Sequence, residues 1–188
     1  MDHLSLPSGA AMPAIGLGTY EQLPAGAGRR RLQDDGIARA LRLGYRHIDS
    51  AVFYGNHEDI PRALDEAGVD RGEVFLTTKV YRDKLAYDDV LAECDRCLAA
   101  LQTEYLDLFL VHWPNDEIPM TETFRAMGRL LDEGRVRDMG VANFTRVNLR
   151  KALDASAAPI AVNQVEFHPL LNQAGLLTFC HDHGIQVT

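Results

Sequence analysis

Hydrophobic positions along this chain fall into a repeating order. A short apolar run comes first, a polar turn follows, and then comes a stretch with apolar residues every three or four positions. The apolar runs begin near Ile15, Tyr45, Val74, Tyr105, Val136, Ile160 and Ile185. From Tyr45 onward the starts lie 29, 31, 31, 24 and 25 residues apart, the length of one strand plus one crossover helix. Runs such as Val74-Phe75-Leu76 and 106–111 are mostly apolar rather than alternating, as strands covered on both faces are. The periodic stretches predict helices over 30–43 (inward residues Leu32, Ile37, Ala40, Leu41), 87–101, 121–131 and 172–183. Gly44 and Gly184 directly follow the first and last of these, as helix-ending glycines do. Ahead of the repeat, Leu4-Ser5-Leu6, the turn residues Pro7-Ser8-Gly9 and the apolar piece 12–15 predict a small β-hairpin.

Strands alternating with helices six times argue for a parallel α/β sheet. Two architectures compete, the doubly wound sheet and the (β/α)8 barrel of TIM type. A dinucleotide-binding doubly wound fold places Gly-x-Gly-x-x-Gly after its first strand. Here Gly16-Leu17-Gly18 runs into Thr19, Tyr20 and Glu21, so the third glycine is missing. The barrel is favoured because chemistry there gathers where strands end. Successive apolar runs end in Asp49, Lys79, His112, Asn143, and then Gln164 and Glu166.

Asp49, Tyr54, Lys79 and His112 are the candidate catalytic residues. On neighbouring strands such ends lie about 5 Å apart, so the four side chains can meet. A phenol of pKa ~10 is a weak proton donor at neutral pH, and a nearby ammonium is expected to lower that value. Asp49 can hold Lys79 charged and in place, and His112 can orient a carbonyl or share the proton transfer. Together they suit protonation of a carbonyl oxygen while hydride reaches its carbon.

With these residues assembled, the chain resembles the aldo-keto reductases, NAD(P)H-dependent barrel enzymes. The matching pieces, in the family's order, are Gly16-Leu17-Gly18-Thr19, the stretch 47–56 from His47-Ile48-Asp49 to Tyr54-Gly55-Asn56, Thr77-Thr78-Lys79, Leu106-Asp107-Leu108 with Val111-His112-Trp113-Pro114, Gly140-Val141-Ala142-Asn143-Phe144, and 163–169. The resemblance implies Tyr54 as general acid supported by Asp49, Lys79 and His112. It implies NADPH as cofactor, NADH being the alternative, with Thr19, Asn143 and Gln164 on the cofactor side. Tyr20, Phe53, Tyr81 and Trp113 are then expected to shape an apolar pocket for a small-molecule carbonyl substrate. The sequence departs from the family pattern in four places. Ala142 stands where Ser usually precedes the Asn, His57 stands between Asn56 and Glu58 where Glu usually follows directly, and Tyr20 and Tyr81 replace tryptophans.

The resemblance further implies a barrel of eight units, typically ~250 residues. The chain has 188 and reaches only the start of a seventh strand. The expectation is one domain, 1–188, holding about six βα units and lacking a C-terminal portion. The rival reading is an inactive remnant or an interaction module that self-associates through an unpaired strand edge.

Composition narrows the remaining classes. Lys plus Arg number 19 against 27 Asp plus Glu, a net charge of −8, which disfavours nucleic acid and anionic membranes as partners. Three cysteines make no disulfide framework, so a reducing, cytoplasmic setting is expected. The segment 1–9 lacks the basic and apolar regions of a secretory signal, and 105–113 is too short to span a bilayer. Cys94-x-x-Cys97 lies inside a predicted helix and reads as ordinary helix residues. Arg29-Arg30-Arg31 reads as a solvated helix start, and His181 and His183 lack the further ligands of a metal site.

Overall fold

The computed structural model describes residues 2–20 and 36–188. The first part of the helix expected over 30–43, with Leu32, lies outside these residues, as do Arg29, Arg30 and Arg31. Two short strands, β1 (His3–Ser5) and β2 (Ala11–Pro13), pair antiparallel with Leu4 opposite Met12, which is the expected hairpin. Gly9 takes φ +85, a left-handed turn conformation that a side chain would resist.

Seven strands follow in one parallel sheet, in sequence order: β3 (Leu17–Gly18), β4 (His47–Asp49), β5 (Phe75–Val80), β6 (Leu106–Val111), β7 (Val136–Ala142), β8 (Val162–Gln164) and β9 (Gln186–Val187). Between them run α1 (Gly36–Arg42), α2 (Asp59–Ala67), α3 (Tyr87–Ala100), α4 (Met120–Asp132), α5 (Arg146–Ala155) and α6 (Ala174–Asp182). This is a (β/α) barrel in part, six units and a seventh strand among the described residues. Helices α2 and α5 are additions to those the periodicity predicts. Helix α2 turns only Ile60, Ala63 and Leu64 inward and carries Pro61 in its first turn, where proline is tolerated. Helix α5 buries only Leu149 and Ala152, and Thr145 Oγ1 caps it by accepting from Asn148 N at 3.3 Å.

Alternation along the strands makes two cores. Outward residues such as Leu76, Val80, Phe109, Val111, Met139 and Val141 pack under the helices with Val90, Cys94, Met127, Leu130 and Leu149. Inward residues Phe75, Leu108, Leu110, Ala142, Ala161 and Val162 fill the lumen together with Leu6 and Met12 of the hairpin. The hairpin therefore plugs the end where strands begin. Ser8 fastens it there, its backbone N donating to Asp138 Oδ1 at 3.1 Å and its hydroxyl to Oδ2. The same end is stitched by Asp107, whose carboxylate accepts from Leu76 N at 2.9 Å, Arg71 at 2.8 Å and Arg137 at 2.9 Å.

The sheet curves tightly between β7 and β8. A Cβ on Gly140 would lie 2.5 Å from Val162 O and 2.8 Å from Leu110 Cδ2. Gly140→Ala is expected to destabilise the fold by about 1–3 kcal/mol in urea denaturation. Gly72→Ala, where a Cβ meets nothing within 4 Å, should stay within about 0.5 kcal/mol of the parent.

Candidate active site

The polar residues that end the apolar runs gather at the opposite end from the hairpin. Asp49 is the last residue of β4 and Gln164 the last of β8. Lys79 is one residue from the end of β5, and His112 and Asn143 directly follow β6 and β7. Lys79 is 0% exposed. It forms an ion pair with Asp49 Oδ1 and donates to Ser50 O at 2.8 Å. The second Asp49 oxygen accepts from Gln164 Nε2 at 2.7 Å, from the far side of the lumen. Burial pulls the Lys79 pKa down, and the Asp49 charge and hydrogen bond oppose that pull.

Tyr54 ends a short 3-10 turn, Val52–Tyr54, and the chain reverses at Gly55 with φ +64. The Lys79 ammonium lies 5.2 Å from the Tyr54 ring centroid. The His112 ring meets Tyr54 edge-on at 5.7 Å, and Tyr20 lies 5.0 Å away on another side. Phe53 stacks on Tyr81 at 4.7 Å, and Tyr81 meets the His112 ring at 5.8 Å. Tyr20, Phe53 and Trp113 are 56%, 49% and 45% exposed, so aromatic surface faces the opening. Trp113 makes no ring contact among the described residues.

The expected lowering of the Tyr54 pKa is reversed. Burial, the Asp49 carboxylate and Tyr20 push the phenol up to about 12. Asp49 sits against Lys79, so the phenol faces an ion pair and not a lone ammonium. Tyr54 is therefore a fully protonated phenol at neutral pH. His112 moves the other way, to about 4, through burial and the Lys79 charge against a weaker opposing pull from Asp49. Its imidazole is neutral at pH 7, which makes it a hydrogen-bonding group rather than a proton source. Nδ1 of His112 is buried without a partner among the described residues.

Asn143 takes φ +63, in the left-handed region, and its Nδ2 donates to His112 O at 2.9 Å. The Asn143 and Gln164 side chains thus both spend their amide N–H on the protein. Their amide oxygens accept no hydrogen bond from a described residue and suit the N–H groups of a carboxamide. That donor and acceptor set fits the nicotinamide end of a dinucleotide. Thr19 is fully buried, and its hydroxyl lies 3.5 Å from Asn56 Oδ1.

Comparison with known proteins gives the family. Residues 14–188 match the Aldo/keto reductase family. The chain belongs to that family. It is 41% identical over 174 residues to an aldo-keto reductase of Mycobacterium sp. (strain JLS), covering 92% of this chain and 61% of that protein. It is 38% identical over 187 residues to the glyoxal reductase of Bacillus subtilis (strain 168), covering 99% of this chain and 65% of that protein. Among solved structures, the Bombyx mori aldo-keto reductase in complex with NADP superposes with a TM-score of 0.86 at 30% identity. That match covers 99% of this chain and 64% of the other. The chain thus spans less than two thirds of the length of these relatives.

Asn56, the last residue of the stretch 47–56, and His57 beside it also contribute to the site, which residue order alone does not reveal. Asn56 accepts from Ser50 Oγ at 2.9 Å and donates to Thr19 O at 2.9 Å, joining β3, β4 and the Tyr54 loop. His57 Nε2 lies 2.8 Å from Thr78 Oγ1, and burial with the Lys79 charge takes its pKa to about 4. Both folded values, for His57 and His112, lie below the ordinary ~6.5 of histidine. Their contribution to stability is whole above pH ~6.5 and is lost as pH falls toward 4, because the unfolded chain takes up protons that the native chain refuses. Imidazole NMR signals of both residues should therefore stay still from about pH 8 to about pH 5, and the urea midpoint should fall below pH ~6.5. Titration of either ring near 6.5 would contradict this.

Proposed function

We propose that this protein is an NADPH-dependent oxidoreductase that reduces aldehydes or ketones to alcohols, with residues 1–188 acting as one domain. The observation that carries the reading is the convergence of a neutral phenol, a buried Lys–Asp pair and a neutral imidazole at one strand-end cluster. A reduced nicotinamide, with its carboxamide against Asn143 and Gln164, supplies the hydride when bound. Thr19 supports that end from below through Asn56, its hydroxyl being already engaged.

Tyr54 donates its proton to the carbonyl oxygen as negative charge develops there. At pKa about 12 the phenol is in the donating form at every working pH. The Lys79 ammonium, 5.2 Å from the ring, stabilises the phenolate left behind, and Asp49 keeps that ammonium charged in its dry site. His112 donates a hydrogen bond through Nε2 to the same carbonyl oxygen and fixes its direction. Tyr20, Phe53, Tyr81 and Trp113 form the apolar rim that holds the rest of the substrate. A relative named glyoxal reductase favours small reactive aldehydes and dicarbonyls as the substrate class. The cofactor assignment draws on the family match and on the NADP-bound structural relative.

Among the described residues no helix is long and apolar enough to cross a membrane. Cys94, Cys97 and Cys180 are free and buried, which supports a cytoplasmic setting. The decisive assay follows NADPH oxidation with glyoxal as acceptor. Tyr54→Phe should lower kcat by about 100-fold or more. Equal rates for parent and variant would sink the assignment of Tyr54, and faster turnover with NADH would reverse the cofactor choice.

A further inference from the structure

Tyr54 makes no hydrogen bond through its hydroxyl to any described residue; its ring packs beside Tyr20 and His112, and the segment that carries it decides how it meets them. Segment 52–58 opens with the 3-10 turn, reverses at Gly55 and enters α2 at Asp59. Two side chains fasten it to the barrel. Asn56 ties it to the ends of β3 and β4. His57 ties it to Thr78, the one hydrogen bond among the described residues that runs from 52–58 to β5. Thr78 and Lys79 are consecutive in that strand, so their side chains take opposite faces. Thr78 faces Cys97 of α3 on the outside, while Lys79 reaches Asp49 in the lumen.

We propose that His57 is a positioning residue for Tyr54, locking the Tyr54 loop to β5 through Thr78 and so fixing the ring against Lys79 and His112. One end of the lock is the residue next to Lys79, so the strand that places the ammonium also places the phenol. Burial and Lys79 keep the imidazole neutral at pH 7, and it therefore adds no charge beside the Lys79–Asp49 pair. The kinetic consequence of the lock rests on the reductase reading, whereas its structural consequence does not.

The test uses the full chain in two measurements. In the ligand-free protein, NMR should show a cross-relaxation signal between the Tyr54 and His112 rings, whose centroids are 5.7 Å apart. His57→Phe and Thr78→Val should each weaken that signal by at least twofold, and His57→Gln, whose amide can reach Thr78, should restore it. In NADPH-dependent glyoxal reduction, the first two variants should lower kcat by about tenfold or more with KM changed less than about threefold, and His57→Gln should return kcat to within about threefold. An unchanged ring signal in both His57→Phe and Thr78→Val overturns the proposal, even if their melting temperatures drop. Should His57→Phe fail to fold, the near-isosteric Thr78→Val decides alone. A parent chain without turnover that shows the expected ring signals would sink the reductase reading and leave the positioning role standing.

Discussion

A lysine with no exposed surface sits in the lumen beside a carboxylate, and the site is arranged around keeping it there. Desolvating an ammonium costs several kcal/mol, and removing its counter-ion leaves that cost uncompensated. Asp49 from β4 supplies the charge, Ser50 supplies a carbonyl, and Gln164 from β8 holds the second Asp49 oxygen. Strands β4, β5 and β8 must therefore converge to satisfy one cation. That demand joins the curvature of the sheet to the electrostatics of the opening. Burial moves Tyr54 up and His112 down, and the Lys79–Asp49 pair adds to both displacements: the carboxylate raises the phenol further, while the ammonium depresses the imidazole further.

The two ends of the sheet use buried charge differently. Where strands begin, Asp107 and Asp138 are occupied by arginines, backbone N–H groups and Ser8, with little left to offer a ligand. Where strands end, the amide oxygens of Asn143 and Gln164 and the hydroxyl of Tyr54 have no partner among the described residues, and aromatic side chains stand open to solvent. A polar group left unpaired at one end, beside saturated groups at the other, is how a barrel separates reactivity from stability.

Much of this was legible in the residue order. Each apolar run begins within two residues of its strand, because nearly continuous Val, Leu and Ile leave few other ways to be buried. Helices α3 and α4 are equally plain, whereas α2 carries Pro61, which reads as a helix breaker, and α5 buries only Leu149 and Ala152 within ten residues. The strand-end residues were readable because each closes its own run. Their cross-connections were not. Gln164 meets Asp49 across 115 residues and His57 meets Thr78 across 21, and no local pattern encodes such pairings. The direction of the Tyr54 shift is hidden for the same reason: it depends first on how deeply the fold buries the phenol and then on how near Asp49 lies, and neither is a property of the residue order.

The Ser8–Asp138 contact joins positions 130 residues apart. The hairpin is local and can close as soon as the first dozen or so residues exist, but its anchor belongs to the fifth strand of the parallel sheet. During synthesis, at about 5–20 residues per second, the finished hairpin must wait many seconds for β7 to emerge. Its docking is thus a late event that reports on assembly of most of the sheet. Leu6 and Met12 are thus apolar side chains that only the later strands cover.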